Sequence, residues 1–329
     1  DVSLNVGDGT TISPKNQDVL VSTRVGLPRI IDNGMEVDEV YKIKNVDVST
    51  GHIQFEGSVI IDGDVCEGMK VIASGDISIS GFVESAYLES GGDITIGSGI
   101  IGKKQDVEEQ KVTDIIMSVS IKAAGKVFAK YCQYADIACK DLRIENQMMH
   151  SIINVEERLW LGTEDKANGK LIAGYISAGS SVHAGTVGAT AGSTTVITFD
   201  KRLEQIQEKL TVIEEKLEVE SNATNELKEA SNKLKKLPKD KLNPAVLNKV
   251  MSTYQHHAGL MGELLNEKEL VEEEKNIYMA SVYIEASERI YHGVQLIVGE
   301  FQEKTKREYG PSKMRYKERK ILIDPIVNS

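Results

Sequence analysis

A six-residue repeat between residues 57 and 102 constrains the fold of this chain more than any other feature. Written in sixes, the stretch gives six full lines and one short line at residues 87–91. Gly occupies the first place in five of the six full lines. The third place is always β-branched, and its residues are Val59, Val65, Val71, Ile77, Val83 and Ile94. Ile53 and Ile100 extend the pattern outward, and so short a repeat indicates a repetitive architecture.

Six residues are too few for a helix with its own apolar face but suffice for one short strand and a turn. Three such units, about 18 residues, close one coil of a parallel β-helix, or β-solenoid. The repeat therefore predicts two stacked columns, which are Val59 with Ile77 and Ile94, and Val65 with Val83 and Ile100. Gly at the first place would supply turn conformations barred to other residues. An antiparallel sandwich is the alternative, but its turn signals recur every 8–12 residues.

The flanks of the repeat predict a solenoid domain over residues 1–198. Strands are expected at residues 19–21, 37–43 and 46–48, with tight turns at Asp8-Gly9 and Asn33-Gly34, as a β-rich cap on the first coil. A charged insert at residues 103–114 is expected to form a loop. Residues 53–198 then predict about eight coils, with small residues at 173–192 indicating a tapering coil or a tightly approached surface.

The architecture is expected to change near Phe199, since 23 of the 28 glycines precede that residue. Apolar residues recur in steps of three and four from Leu203 to Leu234 and again from Leu247 to Tyr278. Pro238 ends the first helix, and Asn243-Pro244 begins the second. The pattern predicts an inserted antiparallel coiled-coil hairpin over residues 199–280. Polar residues interrupt its seam: Glu220, Thr224, Ser231, His257, Lys268 and Lys275. They can fix its register or mark a flexible middle. The alternatives are that they simply face solvent or that the thin hairpin needs a partner helix or a second copy.

Residues 281–329 are expected to return to the solenoid as β-strands at 282–284, 289–299 and 320–324. Residues 304–320 hold eight basic and two acidic residues in a chain of net charge −11. The alternating residues 313–319 predict a charged edge strand, which deters sheet-to-sheet pairing. The alternative is a docking site for an anionic membrane face or an acidic protein.

Composition excludes several function classes. With 50 acidic against 39 basic residues, the chain lacks the dominant basic surface of a general nucleic-acid binder. The sequence contains no run of 18 apolar residues, so it predicts no membrane-spanning helix. The three cysteines, Cys66, Cys132 and Cys139, form no Cys-x-x-Cys pair and are typical of core residues in a reducing compartment. Because the chain begins with Asp1, we expect it to be a fragment of a longer protein.

The search for chemistry predicts no catalytic, cofactor or metal site. No histidine pair has metal-motif spacing, and only one of His256 and His257 can meet a partner helix. His183 is the candidate base of a six-residue-repeat acyltransferase, but no carboxylate motif supports it. Asp76 and Asp93 are expected to stack at one corner and Asp64 at another, either as turn residues or as a cation-binding ladder.

Two stretches carry a distinctive sequence motif. They are residues 46–65, from Val46-Asp-Val-Ser-Thr-Gly-His-Ile to Gly63-Asp-Val, and residues 68–83. They resemble the bacterial flagellar assembly protein A family, a β-solenoid long catalogued as a domain of unknown function. His52 stands where that family usually has Asn. The resemblance implies a β-solenoid followed by a helical coiled coil, related to the polymer-forming bactofilins and right-handed by that likeness.

The resemblance implies a cytoplasmic, non-enzymatic protein of polar flagellum assembly, located at the cell pole. We expect a scaffold or adaptor that binds protein partners of the flagellar or cell-pole machinery through the coiled coil and the solenoid surface. Self-association stays open. The alternatives are a bactofilin-like cytoskeletal polymer and a β-helix enzyme acting on carbohydrate or acyl groups.

Overall fold

The computed structural model describes residues 4–24, 26–105, 116–190, 193–238 and 243–326. It is mainly β, with two long helices. The chain forms two compact units, one comprising Asp1–Phe199 and Val282–Ser329 and the other Asp200–Ser281.

The first unit begins with short strands outside the stack. They are β1 (Asn5–Val6), β2 (Thr10–Ser13), β3 (Asn16–Ser22), β4 (Leu27–Ile31) and β5 (Gly34–Asp38). β1, β4 and β5 form one sheet, and β2 pairs with β3 in a hairpin. The sequence predicted one strand over residues 37–43, but the chain breaks at Glu39 between β5 and the next strand, which joins the stack.

The stack then runs through the rest of this unit. Its strands before the helices are β6 (Val40–Ile43), β7 (Ile53–Phe55), β8 (Ser58–Ile61), β9 (Lys70–Ala73), β10 (Ile77–Ile79), β11 (Val83–Glu84), β12 (Tyr87–Ser90), β13 (Ile94–Ile96), β14 (Gly99–Ile101), β17 (Val119–Ala123), β18 (Lys126–Gln133), β19 (Ala135–Cys139), β20 (Asp141–Val155), β21 (Arg158–Leu161), β22 (Lys170–Ala178), β23 (Ser181–Val187) and β24 (Thr195–Thr198). All these strands pair in parallel with the strand one coil away.

Apolar side chains fill the interior of the solenoid in three columns, and each column runs along one of the three sides of the coil. The two predicted columns are confirmed, because Ile77 pairs with both Val59 and Ile94, and Val83 with both Val65 and Ile100. A third column contains Ile53, Val71, Leu88, Ile121, Ile137, Ile153, Ile176 and Ile197. Its eight levels match the number of coils expected over residues 53–198. Every member of the three columns named here is buried.

The corner aspartates join successive coils. Asp76 Oδ1 accepts the backbone N–H of Asp93 at 2.7 Å, and Asp93 Oδ1 accepts that of Lys126 at 2.7 Å. Asp64 makes the same bond to Phe82 at another corner, also at 2.7 Å. The predicted placement of the three aspartates is therefore confirmed. Because each carboxylate already accepts a backbone N–H, the turn interpretation is favoured over a cation ladder.

The predicted reason for the repeat glycines holds at Gly57, whose φ is 133°, but fails at Gly81 and Gly92. Neither Gly81 nor Gly92 has a positive φ. A Cβ on Gly81 would instead lie 2.0 Å from Asp64 Oδ1, and one on Gly92 would lie 2.0 Å from Asp76 Oδ1. Glycine is needed there because the neighbouring coil occupies the space of a side chain.

The strand expected at residues 46–48 is absent, and the loop expected at residues 103–114 lies mostly outside the described residues. Residues 46–48 are not a strand, since only Val46 forms a bridge, to Val65. The next residue, Asp47, accepts the N–H of Ser49 at 2.8 Å and turns the chain, which leaves Val48 exposed. The loop expected at residues 103–114 lies mostly outside the described residues, which show β15 (Lys104–Gln105) paired antiparallel with β16 (Ile116–Met117).

The second unit consists of α1 (Asp200–Lys235) and α2 (Pro244–Ser281). Asn243 Oδ1 accepts the N–H of Ala245 at 3.0 Å, which confirms the predicted cap and first turn of α2. Six residues of the predicted α1 row are buried, namely Leu203, Ile206, Leu210, Ile213, Thr224 and Ser231.

After the helices, the chain resumes the same stack through β25 (Tyr283–Ile290), β26 (Val294–Val298), β27 (Phe301–Lys304), β28 (Ser312–Lys317) and β29 (Lys320–Pro325). β25 pairs in parallel with β23, and β26 with β24. The return to the solenoid is thus confirmed, although the strand expected over residues 289–299 is interrupted between Ile290 and Val294.

The basic segment near the end of the chain is not an edge strand. β28 lies between β25 and β29 and pairs antiparallel with both. The edge prediction was wrong because β29 adds one more strand outside β28. Lys313 and Arg315 on β28 reach Glu285 at 3.8 Å and Asp324 at 2.8 Å, so neighbouring carboxylates balance their charges.

Candidate interaction surfaces

The polar residues of the helical seam pair across the two helices. His257 Nδ1 lies 2.6 Å from Glu220 Oε2, so two of the predicted interruptions meet each other. Lys275 Nζ donates to Gln207 Oε1 at 3.2 Å. His256, beside His257, is exposed, as expected for adjacent residues on a helix. These pairs favour the register-fixing interpretation over simple solvation of the seam.

Lys268 lies near two carboxylates, one on each helix. Its Nζ donates to Glu214 Oε1 at 2.8 Å and lies 3.8 Å from Glu272 Oε1. The hydrogen bond to Glu214 raises the pKa of Lys268 above its usual value. The sequence did not single out Glu214, Glu272 or Gln207, because each lies beside the apolar row rather than in it.

Two seam hydroxyls are poorly satisfied. Thr224 is 8% exposed, and its Oγ1 has no hydrogen-bond partner within the described residues. Ser231 Oγ lies 3.3 Å from the sulfur of Met251, a weak acceptor. A buried hydroxyl without a strong partner costs about 1–3 kcal/mol. We therefore expect the seam around Thr224 and Ser231 to be less stable than the seam around Lys268 and Lys275.

The outer face of the solenoid carries a column of rings and charges. Thr95, Phe128, Arg143, Trp160, His183 and Glu285 occupy successive levels of the same strand register. The Arg143 guanidinium lies 4.4 Å from the centre of the Phe128 ring. A groove of about 600 Å³ runs beside Phe128, Arg143 and Trp160. Sequence reasoning missed this column because its members are separated by irregular lengths of chain.

The charges along this groove are balanced locally. Arg143 Nη1 lies 2.9 Å from Glu164 Oε1, and Arg158 Nε lies 3.5 Å from Asp141 Oδ1. The groove therefore presents aromatic and polar surface without a net field of one sign.

His183, the one histidine considered as a base, has a carboxylate near it after all. Its Nε2 lies 3.1 Å from Ser181 Oγ, and its Nδ1 lies 4.0 Å from Glu285 Oε1. The second distance exceeds a hydrogen bond. Lys313 also approaches Glu285, and Ser181 is buried. Burial lowers the pKa of His183, and Glu285 opposes that effect. We assign this cluster a packing role.

The remaining candidates for chemistry are distributed as follows. Burial raises the pKa of the Cys132 and Cys139 thiols to about 12, as expected of core residues. Over the described ranges, no group of three or more His, Cys, Asp or Glu side chains is placed to hold a metal ion. Within the part of the chain that the structure describes, neither helix combines the length and apolar character needed to cross a membrane.

Comparison with known families decides the relationship suggested by residues 46–83. The sequence model of the flagellar assembly protein A β-solenoid domain matches residues 39–321, which is most of the chain. The chain belongs to this family. No curated protein and no solved structure matches it. Family membership points to a role in flagellar assembly and accounts for the β-solenoid; the surfaces described above must supply everything more specific.

Proposed function

We propose that this chain is a non-enzymatic scaffold or adaptor in polar flagellum assembly. In this proposal a right-handed solenoid (residues 1–198 with 281–329) supports an antiparallel coiled-coil hairpin (residues 199–280). The hairpin and the solenoid surface bind protein partners of the flagellar or cell-pole machinery in the cytoplasm. Family membership supports the process, and the acidic net charge disfavours nucleic acid as a partner.

The observation that carries the proposal is the series of polar pairs across the helical seam. Contacts along α1 meet residues in descending order along α2: Arg202 with Glu274, Glu214 with Lys268, and Glu220 with His257. That order supports an antiparallel arrangement. A seam held by directional pairs keeps its register while burying little apolar surface, which suits a contact element better than a structural core.

The solenoid suits the supporting role for a different reason. Its interior is filled by apolar columns, and its corner carboxylates accept backbone N–H groups of the neighbouring coil. An interior filled at every level resists bending, because displacing one coil disturbs the packing of its neighbours. A ligand would therefore bind on the outside of this unit.

Removing the hairpin from the full chain tests the proposal. Residues 200–281 would be replaced by a Gly-Ser linker. The two ends of the hairpin lie side by side, since Arg202 Nη2 lies 3.4 Å from Glu274 Oε1. We expect loss of swimming motility and of flagellar partners from pull-downs. The fluorescence of Trp160, the sole tryptophan, would show that the solenoid still folds.

Unchanged motility and unchanged partner capture by the folded deletion variant would contradict the role of the hairpin. A fluorescent fusion that stays diffuse in flagellated cells would count against recruitment to the cell pole. The polymer alternative is disfavoured because β27, β28 and β29 turn antiparallel and cover the stack after β26. End-to-end stacking that continued the parallel coils from one copy to the next would need a parallel strand edge there.

A further inference from the structure

The groove beside Phe128 is built from two rows of outward side chains. One row contains Asp93, Lys126, Asp141 and Arg158, and the other contains Thr95, Phe128, Arg143 and Trp160. At each of four successive levels the two members lie two positions apart on one strand, so both rows point out from the same side of the coil. The groove between them therefore runs along the axis of the solenoid, and we call it the axial groove.

Six charged side chains line the axial groove, and their charges cancel. Three are basic and three are acidic, namely Lys126, Arg143, Arg158, Asp93, Asp141 and Glu164. Arg143 pairs with Glu164 at 2.9 Å, and Arg158 lies 3.5 Å from Asp141. A phosphate-bearing or acidic ligand would need an excess of positive charge. The balance favours an uncharged ligand.

The rings of the axial groove favour a ligand with a flat apolar face. Phe128 and Trp160 are half-buried, and each leaves part of its ring at the surface. Thr95, the neighbour of Phe128 in the previous coil, is short and exposed, so the row steps down beside the ring. The C–H groups on the face of a pyranose ring pack on aromatic side chains, while its hydroxyls remain at the edge for polar contacts.

The polar groups of the axial groove are held in place before any ligand arrives. The Arg143 guanidinium lies 4.4 Å from the centre of the Phe128 ring and is also bound by Glu164. Asp93 Oδ1 accepts the backbone N–H of Lys126 at 2.7 Å. A sugar hydroxyl both donates and accepts, so it can bond to a guanidinium and a carboxylate together. Groups that are already ordered lose little entropy on binding.

The strands below the axial groove disfavour an extended peptide as the ligand. A peptide that binds by adding a strand needs an unpaired strand edge. Here β18 pairs with β13 and β20, and β21 pairs with β20 and β23. Both edges of these strands are therefore occupied, and recognition has to come from side chains, which suits a saccharide.

The dimensions of the axial groove set the length and shape of the ligand. Four levels spaced by about 4.8 Å span about 15 Å, which accommodates about three sugar rings laid end to end. The levels follow one another in parallel register, so the groove runs straight over this distance. A β-1,4-linked chain of pyranose rings is extended and flat, whereas an α-1,4-linked chain of glucose curls.

We propose that the axial groove binds a neutral, straight oligosaccharide. Its rings pack against Phe128 and Trp160, and its hydroxyls bond to Arg143 and to the carboxylates of the two rows. This inference goes beyond the proposed function, which names protein partners alone, and it depends on no flagellar partner. It is a binding site, and no covalent step is part of it.

Titration of the full chain tests the site directly. Trp160 is the sole tryptophan and lines the groove, so its fluorescence reports binding there. Cellohexaose and chitohexaose, which are neutral and β-1,4-linked, are the probes. We expect a saturable change in emission with a dissociation constant below about 1 mM for at least one of them. Maltohexaose, of equal length but α-1,4-linked, should bind at least about tenfold more weakly.

Two variants test the residues, with calorimetry as the second measurement. Phe128→Ala should raise the dissociation constant of the bound probe by at least about tenfold. Tyr131→Ala is the matched control, because Tyr131 lies on the same strand and is 53% exposed but pairs with Gly99 on another side of the coil. It should leave the affinity unchanged. Arg143→Lys keeps the charge, removes the planar fork and should weaken binding about fivefold.

Failure of both straight saccharides to change the emission or release heat would overturn the proposal and leave the axial groove to a peptide held by its side chains. Equal affinity for maltohexaose would also overturn it, as would equal weakening by Phe128→Ala and Tyr131→Ala. Urea unfolding shows whether each variant keeps its fold. If Phe128→Ala does not fold, unchanged affinity in the milder Arg143→Lys variant would still count against the site.

Discussion

The solenoid and the helical unit bury their apolar residues in opposite ways. In the solenoid the column residues Ile77, Leu88 and Ile94 are 0–1% exposed. In α2 the buried residues are Tyr278 and Met279, near its C-terminal end, while most of its contact row stays half-exposed. The solenoid thus gains stability from complete burial, whereas the helices depend more on specific polar pairs and leave apolar surface exposed.

In the proposed function, this difference separates a rigid unit from a binding unit within one chain. The stacked apolar columns of the solenoid tolerate few substitutions, because each residue touches its counterparts in the coils on both sides. Directional pairs such as Glu220 with His257 fix an alignment at a small cost in burial. The solenoid should therefore respond strongly to single substitutions and the helices weakly, and matched changes in the two units test that.

The largest contrast is expected from the same leucine truncation in each unit. Leu88→Ala in the solenoid should lower the free energy of unfolding by about 2–5 kcal/mol, because Leu88 is fully buried between Val71 and Ile121. Leu264→Ala in the half-exposed row of α2 should cost only about 1 kcal/mol. Urea unfolding followed by Trp160 fluorescence reports the first, and circular dichroism at 222 nm the second. Equal losses would contradict the contrast in burial.

A glycine-to-alanine change should have opposite signs in the two units. A Cβ on Gly91 would lie 2.2 Å from the carbonyl oxygen of Ser74, so Gly91→Ala should destabilise the solenoid by about 1–3 kcal/mol. A Cβ on Gly259 of α2 would meet nothing within 4 Å, so Gly259→Ala should stabilise the helices by about 0.5–1 kcal/mol. The same two unfolding signals measure both. Stabilisation by Gly91→Ala would show that the coils are less tightly spaced.

Thr224→Val should stabilise the helical unit by about 1 kcal/mol. The substitution replaces an unpartnered buried hydroxyl with a methyl group of similar shape and removes its desolvation cost. Thermal unfolding monitored at 222 nm measures the change. Thr224→Ser, which keeps the hydroxyl and removes a methyl, is the control and should not stabilise. A loss of stability in Thr224→Val would mean that the hydroxyl has a partner in solution.

The smallest effect concerns pH and the solenoid. Burial lowers the pKa of His183, so the folded chain binds this proton less readily than the unfolded chain. Its contribution to stability is therefore present above the ordinary histidine pKa of about 6.5 and is lost as pH falls through the lowered value. Urea unfolding followed by Trp160 fluorescence should show a shallower decline in acid for His183→Gln than for wild type. An identical decline would contradict the assignment.

How far the sequence could predict this molecule depends on how local each feature is. The columns containing Ile77 and Val83 follow directly from the repeat, because the β-branched positions recur at the spacing of the coils. The helix seam and the Asn243 cap follow from spacing in the same way. In each case the signal and the structure lie within a few tens of residues.

What the sequence could not predict depends on distant contacts. Glu285 lies beside His183, but 102 positions separate them and the helices intervene. The reason for Gly92 could not be read from its own line either, since the atom that excludes a side chain belongs to Asp76 of the previous coil. Long-range pairing decides both features, and propensity is silent about them. The inner position of β28 is different, because it follows from a local hairpin with β29, the strand expected at residues 320–324.

The insertion of the helices between β24 and β25 also governs how the chain can fold during synthesis. Coils before β24 can add one after another as they are made, since each pairs with the coil just completed. The final coils must wait until 82 further residues, Asp200–Ser281, have been synthesised. Helices form quickly from local contacts, while closing a long loop onto a waiting strand is slow. The strand edge of β23 and β24 therefore stays open throughout this interval, which makes it the point where a nascent chain is most exposed to mispairing.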